Sequence, residues 1–143
     1  MLARFFTHYL LMKKRVHHIC MAEDDPDDHH IFSDFLQQID STIKLTWFQT
    51  CESLLDYLKS GSELPDLILL DMNMPKMDGH TCLVTIKKEI NYFHIPVMIL
   101  STTNQPTTVN RALEAGAFRY YQKPHSLEEY RRIIKEMLET PIN

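Results

Sequence analysis

The amino-acid sequence predicts a doubly wound α/β fold, a five-stranded parallel sheet with helices on both faces. Two observations predict it. Strand-like and helix-like segments alternate five times with short connections, the pattern of successive βα units. Residues 66–70 read Asp-Leu-Ile-Leu-Leu, apolar on successive positions, which requires cover on both faces of that strand. The 143 residues, 44% of them hydrophobic, suffice for one domain with its own core and are too few for two.

Residues 16–22 form a short apolar run that reads as the first strand and ends in acids. Asp25-Pro26 reads as a helix start, with Asp at the cap and Pro at the first position. Ile31, Phe35, Leu36 and Ile39 make one face of the helix that follows. Residues 45–48 read as the second strand, with Trp47 and Phe48 at a sheet edge. Residues 53–60 read as a helix with Leu54, Leu55 and Leu58 inward, stopped by Gly61. The third strand, 66–70, ends at Asp71, and residues 72–79 form a loop with Pro75 and an Asp78-Gly79 turn. A helix to about Glu89 carries Leu83, Val84 and Ile86. Residues 96–100 are a fourth buried strand, 106–115 a helix closed by Gly116, and 118–122 a fifth strand. The last helix runs from Ser126 to about Thr140, with Ser126 and Glu129 spaced as a capping box. No output domain is expected after it.

Composition narrows the function classes. A net charge of −4 argues against nucleic acid as a direct partner. Glu23, Asp24, Asp25, Asp27 and Asp28 crowd into six positions, a run that repels itself unless it is solvated or holds a cation. Cys20, Cys51 and Cys82 are odd in number and lack metal-ligand spacing, so reduced thiols acting as small hydrophobes are expected. No run approaches a membrane span. The first 15 residues mimic a signal peptide, but no small-residue cleavage site is present and the basic cluster follows the apolar part. They are set apart from a domain at 16–143. Either they form an amphipathic arm (Leu2, Phe5, Phe6, Tyr9 and Leu10 have helical spacing) or they are a disordered extension, with Met12 an alternative start. The eight histidines include adjacent pairs, not pairs at helical ligand spacing, and no catalytic role is expected of them.

In open α/β sheets, ligands bind outside the carboxyl ends of the strands. The first strand brings Glu23, Asp24 and Asp25 there, the third Asp71, the fourth Ser101 and Thr102, and the fifth Lys123, just before Pro124. Carboxylates this close cannot all stay ionised without a counter-charge. Mg²⁺ resolves the conflict, because it takes one or two carboxylates and completes its shell with water and phosphate oxygens. A carboxylate is also a competent nucleophile toward a phosphoryl group, whose transfer needs charge neutralisation that Mg²⁺, Lys123 and the Ser101 hydroxyl could supply.

The segment Asp66-Leu-Ile-Leu-Leu-Asp71-Met-Asn-Met-Pro-Lys-Met-Asp-Gly79 closely resembles the phosphorylation segment of CheY-like response-regulator receivers. The acidic pair Glu23-Asp24, the Ser101-Thr102 pair, Tyr120 three residues before Lys123, and Lys123-Pro124 match the same family in order and spacing, and the resemblance covers residues 16–140. It implies a flavodoxin-like (βα)5 sheet in strand order 2-1-3-4-5. It implies Asp71 as phosphoacceptor and Asp24 as a direct Mg²⁺ ligand. Glu23 would act mostly through water, and Asn73 would lend its backbone carbonyl. Lys123 would pair with one phosphoryl oxygen and Ser101 would bond another after phosphorylation. Tyr120 resembles the aromatic switch, and the Lys123-Pro124 bond is expected cis. The partner implied is a histidine kinase, and the protein a cytoplasmic two-component signalling switch, not an enzyme. In relatives the fourth helix, fifth strand and fifth helix form the output and homodimer face, to which Tyr121, Arg119, Arg131 and Arg132 could contribute here. Residues 87–96 are similar to the stand-alone receivers associated with bacterial phytochromes.

The sequence departs from the commonest family pattern with Ser at 101, Thr at 102 and His at 125, while Asn73 and Thr103 resemble positions that tune autodephosphorylation. Two alternatives stay open: a phosphorelay intermediate, and a phosphatase working through an aspartyl intermediate. The latter class needs an acid two residues after the nucleophile, where Asn73 stands.

Overall fold

The computed structural model describes residues 2–4 and 15–139. Among residues 15–139, strands and helices alternate: β1 His18–Ala22, α1 Pro26–Ile39, β2 Lys44–Phe48, α2 Cys51–Lys59, β3 Leu67–Leu70, α3 Gly79–Lys88, β4 Val97–Ser101, α4 Pro106–Glu114, β5 Arg119–Gln122 and α5 Leu127–Glu139. The sheet runs β2-β1-β3-β4-β5, and every pairing is parallel. The expected flavodoxin-like order is therefore the observed one. The arm expected within residues 1–15 lies outside the described residues apart from 2–4 and Arg15, whose guanidinium pairs with Asp40 at 3.1 Å.

Strand alternation sorts the core into two layers. Cys20, Ala22, Ile68, Leu70, Val97 and Ile99 face α2, α3 and α4, meeting Leu54, Leu58, Cys82, Leu83, Ile86 and Ala112. Ile19, Met21, Leu67, Leu69, Met98 and Leu100 face α1 and α5, meeting Phe32, Leu36, Tyr130, Ile133, Ile134 and Met137. The β3 run is buried at all four positions because both layers use it. On α1 the buried residues are Phe32 and Leu36, one helical turn apart. Ile31, Phe35 and Ile39, expected to share the inner face, flank it half-buried.

Local chemistry fixes the element ends. Asp25 caps α1, its carboxylate accepting the Asp27 N–H at 2.9 Å. Thr50 caps α2 and starts it at Cys51, two residues before the expected position. Ser126 accepts the Glu129 N–H at 3.2 Å, as the box spacing predicts. Asp78-Gly79, expected as a turn, is instead a helix start. The Asp78 side chain accepts the Thr81 N–H at 2.8 Å, and an Asp placed before a helical run caps it as readily as it turns. Asp66 precedes β3 and holds the start of β1, accepting the His17 and His18 N–H groups at 2.8 and 3.1 Å.

Two further expectations are corrected. Cys51 and Cys82 form a disulfide, leaving Cys20 as the free thiol among the described residues. The pair is far apart in sequence, but α2 and α3 pack side by side and bring the two Cα atoms to 5.9 Å, within bridging range. Cys20 remains a small buried hydrophobe, its thiol pushed up to about 12 by burial. The Lys123-Pro124 bond is trans, since no cis peptide occurs among the described residues. Trans is the ordinary state of an X-Pro bond, favoured by about 0.5–1 kcal/mol.

Candidate functional site

The parallel ladders carry the site. They continue one residue past the strands, so the rim residues inherit the order of the sheet. The Glu23 N–H donates to the Phe48 carbonyl at 2.9 Å, the Asp71 N–H to the Ala22 carbonyl at 3.1 Å, and the Lys123 N–H to the Ser101 carbonyl at 2.6 Å. Four separated chain segments thereby meet at one edge. Oxygens of Glu23, Asp24 and Asp71 lie within 4.8 Å of one another. The Lys123 ammonium sits 3.1 Å from Glu23, 2.8 Å from Asp28 Oδ2 and 3.4 Å from Asp71 Oδ2.

The charges do not balance. Three carboxylates (Glu23, Asp28 and Asp71) contact one ammonium, and a fourth, Asp24, converges on Glu23 and Asp71. Asp71 is 5% exposed and Lys123 8%, so solvent screens little of this excess. Burial, then the Asp71 charge, pushes the Glu23 carboxyl up to about 8 against the pull of Lys123. Burial also raises Asp71, opposed by Lys123 and by the Asn73 N–H. For Lys123 burial favours the neutral form, but the Asp28 hydrogen bond and the Glu23 and Asp71 charges outweigh it and hold the ammonium charged. A hard divalent cation fits this donor set. The carboxylates of Glu23, Asp24 and Asp71 converge, all are oxygen donors, and two are buried at a cost that a dication would offset.

The remaining predicted residues ring this centre. Asn73 donates its backbone N–H to Asp71 Oδ1 at 3.2 Å, and its side-chain amide reaches the Thr102 hydroxyl at 3.3 Å. Ser101 is fully buried at the end of β4. Tyr120 is half-buried, and its hydroxyl donates to the Thr103 carbonyl at 2.7 Å. Burial raises the Tyr120 phenol above its ordinary value. Asp25, one of three contiguous acids left ambiguous by the sequence, is spent on capping α1.

Two participants escape a reading by motif. Asp28 belonged to the acidic run but drew no role; it lies on α1 one turn past the cap, which aims it at Lys123. Trp47, at the edge strand, donates its indole N–H to the Glu23 carbonyl at 2.8 Å and stacks on His29 with ring centroids 4.1 Å apart. The helix position of His29 and the β2 position of Trp47 were both legible; their register against each other was not.

Residues 19–135 match the response regulator receiver domain family. The two-component response regulator ORR8 of Oryza sativa subsp. indica is 30% identical over 118 residues, 82% of this chain and 95% of the relative. Among solved structures, the phosphorylated cyanobacterial phytochrome response regulator RcpA superposes with a TM-score of 0.79 at 26% identity, covering 85% of this chain and 91% of RcpA. The Mn²⁺-bound response regulator Rcp1 gives a TM-score of 0.79 at 26% identity, covering 87% and 96%.

Proposed function

The chain belongs to the response regulator receiver family, and on that premise we propose that Asp71 accepts a phosphoryl group from a histidine kinase in a Mg²⁺-dependent transfer that switches a protein-binding surface. The observation that carries this reading is the Lys123 ammonium at 3.4 Å from Asp71, beside Glu23, Asp24 and Asp71 oxygens converging within 4.8 Å. RcpA is phosphorylated and Rcp1 binds Mn²⁺ in their own structures, which supports the same chemistry at the matching rim.

In the transfer, an Asp71 carboxylate oxygen attacks phosphorus. The new O–P bond forms as the P–N bond to the donor imidazole breaks, and that nitrogen keeps the bonding electron pair. Glu23, Asp24 and Asp71 would hold Mg²⁺, with the Asn73 carbonyl that the family resemblance adds, and the ion supplies charge to offset that developing on the phosphoryl oxygens. Lys123 neutralises a second oxygen, and Ser101 hydrogen-bonds a third once the group has arrived. Drawing the Ser101 hydroxyl toward the phosphoryl group frees the space beside Tyr120, whose ring moves with it. Tyr120 stands on β5, so the change is delivered to the α4-β5-α5 face, where Leu113 and Phe118 are exposed. That face is the proposed output and homodimer surface. Asn73 stands where a phosphatase working through an aspartyl intermediate needs an acid, which favours a switch over a phosphatase. No helix among the described residues is long and apolar enough to cross a membrane.

Acetyl phosphate with Mg²⁺, followed by intact mass, tests the reading. One added phosphoryl group is expected, absent without Mg²⁺ and absent in Asp71→Asn. Addition that survives Asp71→Asn would overturn it.

A further inference from the structure

We propose that Asp28 is a positioning residue that restrains the Lys123 ammonium and competes with the phosphoryl group for it, an inference that rests on the function proposed above. An ammonium has three donor hydrogens. Here three carboxylates take them, and the shortest contact is to Asp28 at 2.8 Å, against 3.1 Å to Glu23 and 3.4 Å to Asp71. Asp28 lies outside the trio of oxygens that converge for a cation, so a bound dication leaves its charge uncompensated except by Lys123. It is also 26% exposed while Glu23 and Asp71 are buried, so it can surrender the ammonium to solvent at the least cost.

These facts set the direction of the effect. Before transfer, Asp28 draws the ammonium toward α1 and off the phosphoacceptor. After transfer, the phosphoryl oxygens on Asp71 must draw Lys123 against the shorter contact to Asp28. Asp28 therefore weakens the phosphorylated state relative to the resting one.

Affinity for beryllofluoride in the presence of Mg²⁺ reads this directly, followed by the fluorescence of Trp47, the sole tryptophan, which is bonded to the Glu23 carbonyl. Asp28→Asn removes the competing charge and is expected to tighten the mimic by about fivefold, the upper end for a solvent-exposed ion pair. Asp28→Glu restores the charge and should return the affinity toward wild type. In a Lys123→Ala background the gain from Asp28→Asn should shrink below about twofold, because the effect runs through the ammonium. Unchanged or weaker binding in Asp28→Asn overturns the proposal, and so does an equal gain without Lys123, which would mean simple repulsion. Wild-type protein that does not bind the mimic at all would instead defeat the phosphoacceptor reading itself.

Discussion

Gly79 decides how closely the loop after Asp71 can fold back. A Cβ built there would press on the Asp71 carbonyl oxygen and lie 2.7 Å from Met72 Cα, both of them backbone atoms. The Gly79 N–H also donates to the Met72 carbonyl at 3.1 Å, so the two ends of the loop are stitched where a side chain has no room. Gly79→Ala should therefore lower stability by about 1–3 kcal/mol, the usual cost of overpacking. It should also slow phosphorylation by acetyl phosphate at least tenfold, because Asp71 must move with its carbonyl. Urea unfolding and intact-mass time courses check the two effects, and wild-type rates in the alanine variant would contradict this account. The Asp-Gly pair stood out in the sequence, but as a turn. Asp78 and Gly79 suit a turn and a cap equally, and only the approach of Asp71 shows why glycine is required. Asp28 illustrates the same limit: its charge was plain, while its partner, 95 residues away, depended on how β5 meets α1.

His18 is a second residue whose role follows from burial. Its ring is 2% exposed, its Nε2 lies 2.8 Å from the Thr46 hydroxyl, and Tyr57 meets it edge-on. Burial, then the Lys44 charge, holds its pKa below the ordinary 6.5, against the opposing charges of Glu63 and Asp66. The folded protein thus binds this proton less readily than the unfolded chain. The stabilisation is complete above pH 6.5 and is lost as pH falls toward the depressed folded value. Thermal melts of His18→Gln should show a shallower decline below pH 6.5 than wild type; parallel declines would refute the assignment.

Elements were legible where their pattern was unambiguous. The β3 run, the α5 capping box and the leucines of α2 are buried or capped as their spacing requires. Pairings between elements were not legible, and the disulfide shows why. Cys51 and Cys82 are 31 positions apart, and each sits on a helix whose partner is set by the sheet, not by local sequence. The bridge ties the start of α2 to the helix that carries the Asp71 loop. In the chain-entropy view, closing a loop of that length stabilises the fold by about 3–4 kcal/mol. Reduction, or Cys51→Ser, should lower the urea midpoint accordingly without changing which residue is phosphorylated. A midpoint indifferent to reductant would mean that the thiols do not pair in solution.

At the scale of the whole molecule, the strand order is what makes a site at all. The order β2-β1-β3-β4-β5 puts β1 and β3 side by side, so Glu23, Asp24 and Asp71 leave the sheet at adjacent strand ends. Alternation of strands and helices predicted a parallel sheet, but the order itself came from the family resemblance, since βα alternation suits several orders. The arrangement concentrates like charge, and the fold carries that cost at the rim. A cation that binds the folded rim and not the unfolded chain should return it as stability. At ten times its dissociation constant, Mg²⁺ should add about 1.4 kcal/mol and raise the melting temperature by about 3–6 °C. Asp24→Asn, which removes the exposed member of the trio, should abolish most of that shift while leaving the metal-free melting temperature close to wild type. Asp71→Asn should abolish it too, but raise the metal-free value, because it replaces a buried carboxylate that is costly to ionise with a neutral amide of the same shape. A metal-free melting temperature raised by Asp71→Asn and unmoved by Asp24→Asn, read by calorimetry, separates a cation site built from buried carboxylates from an ordinary acidic surface, on which both substitutions would act alike.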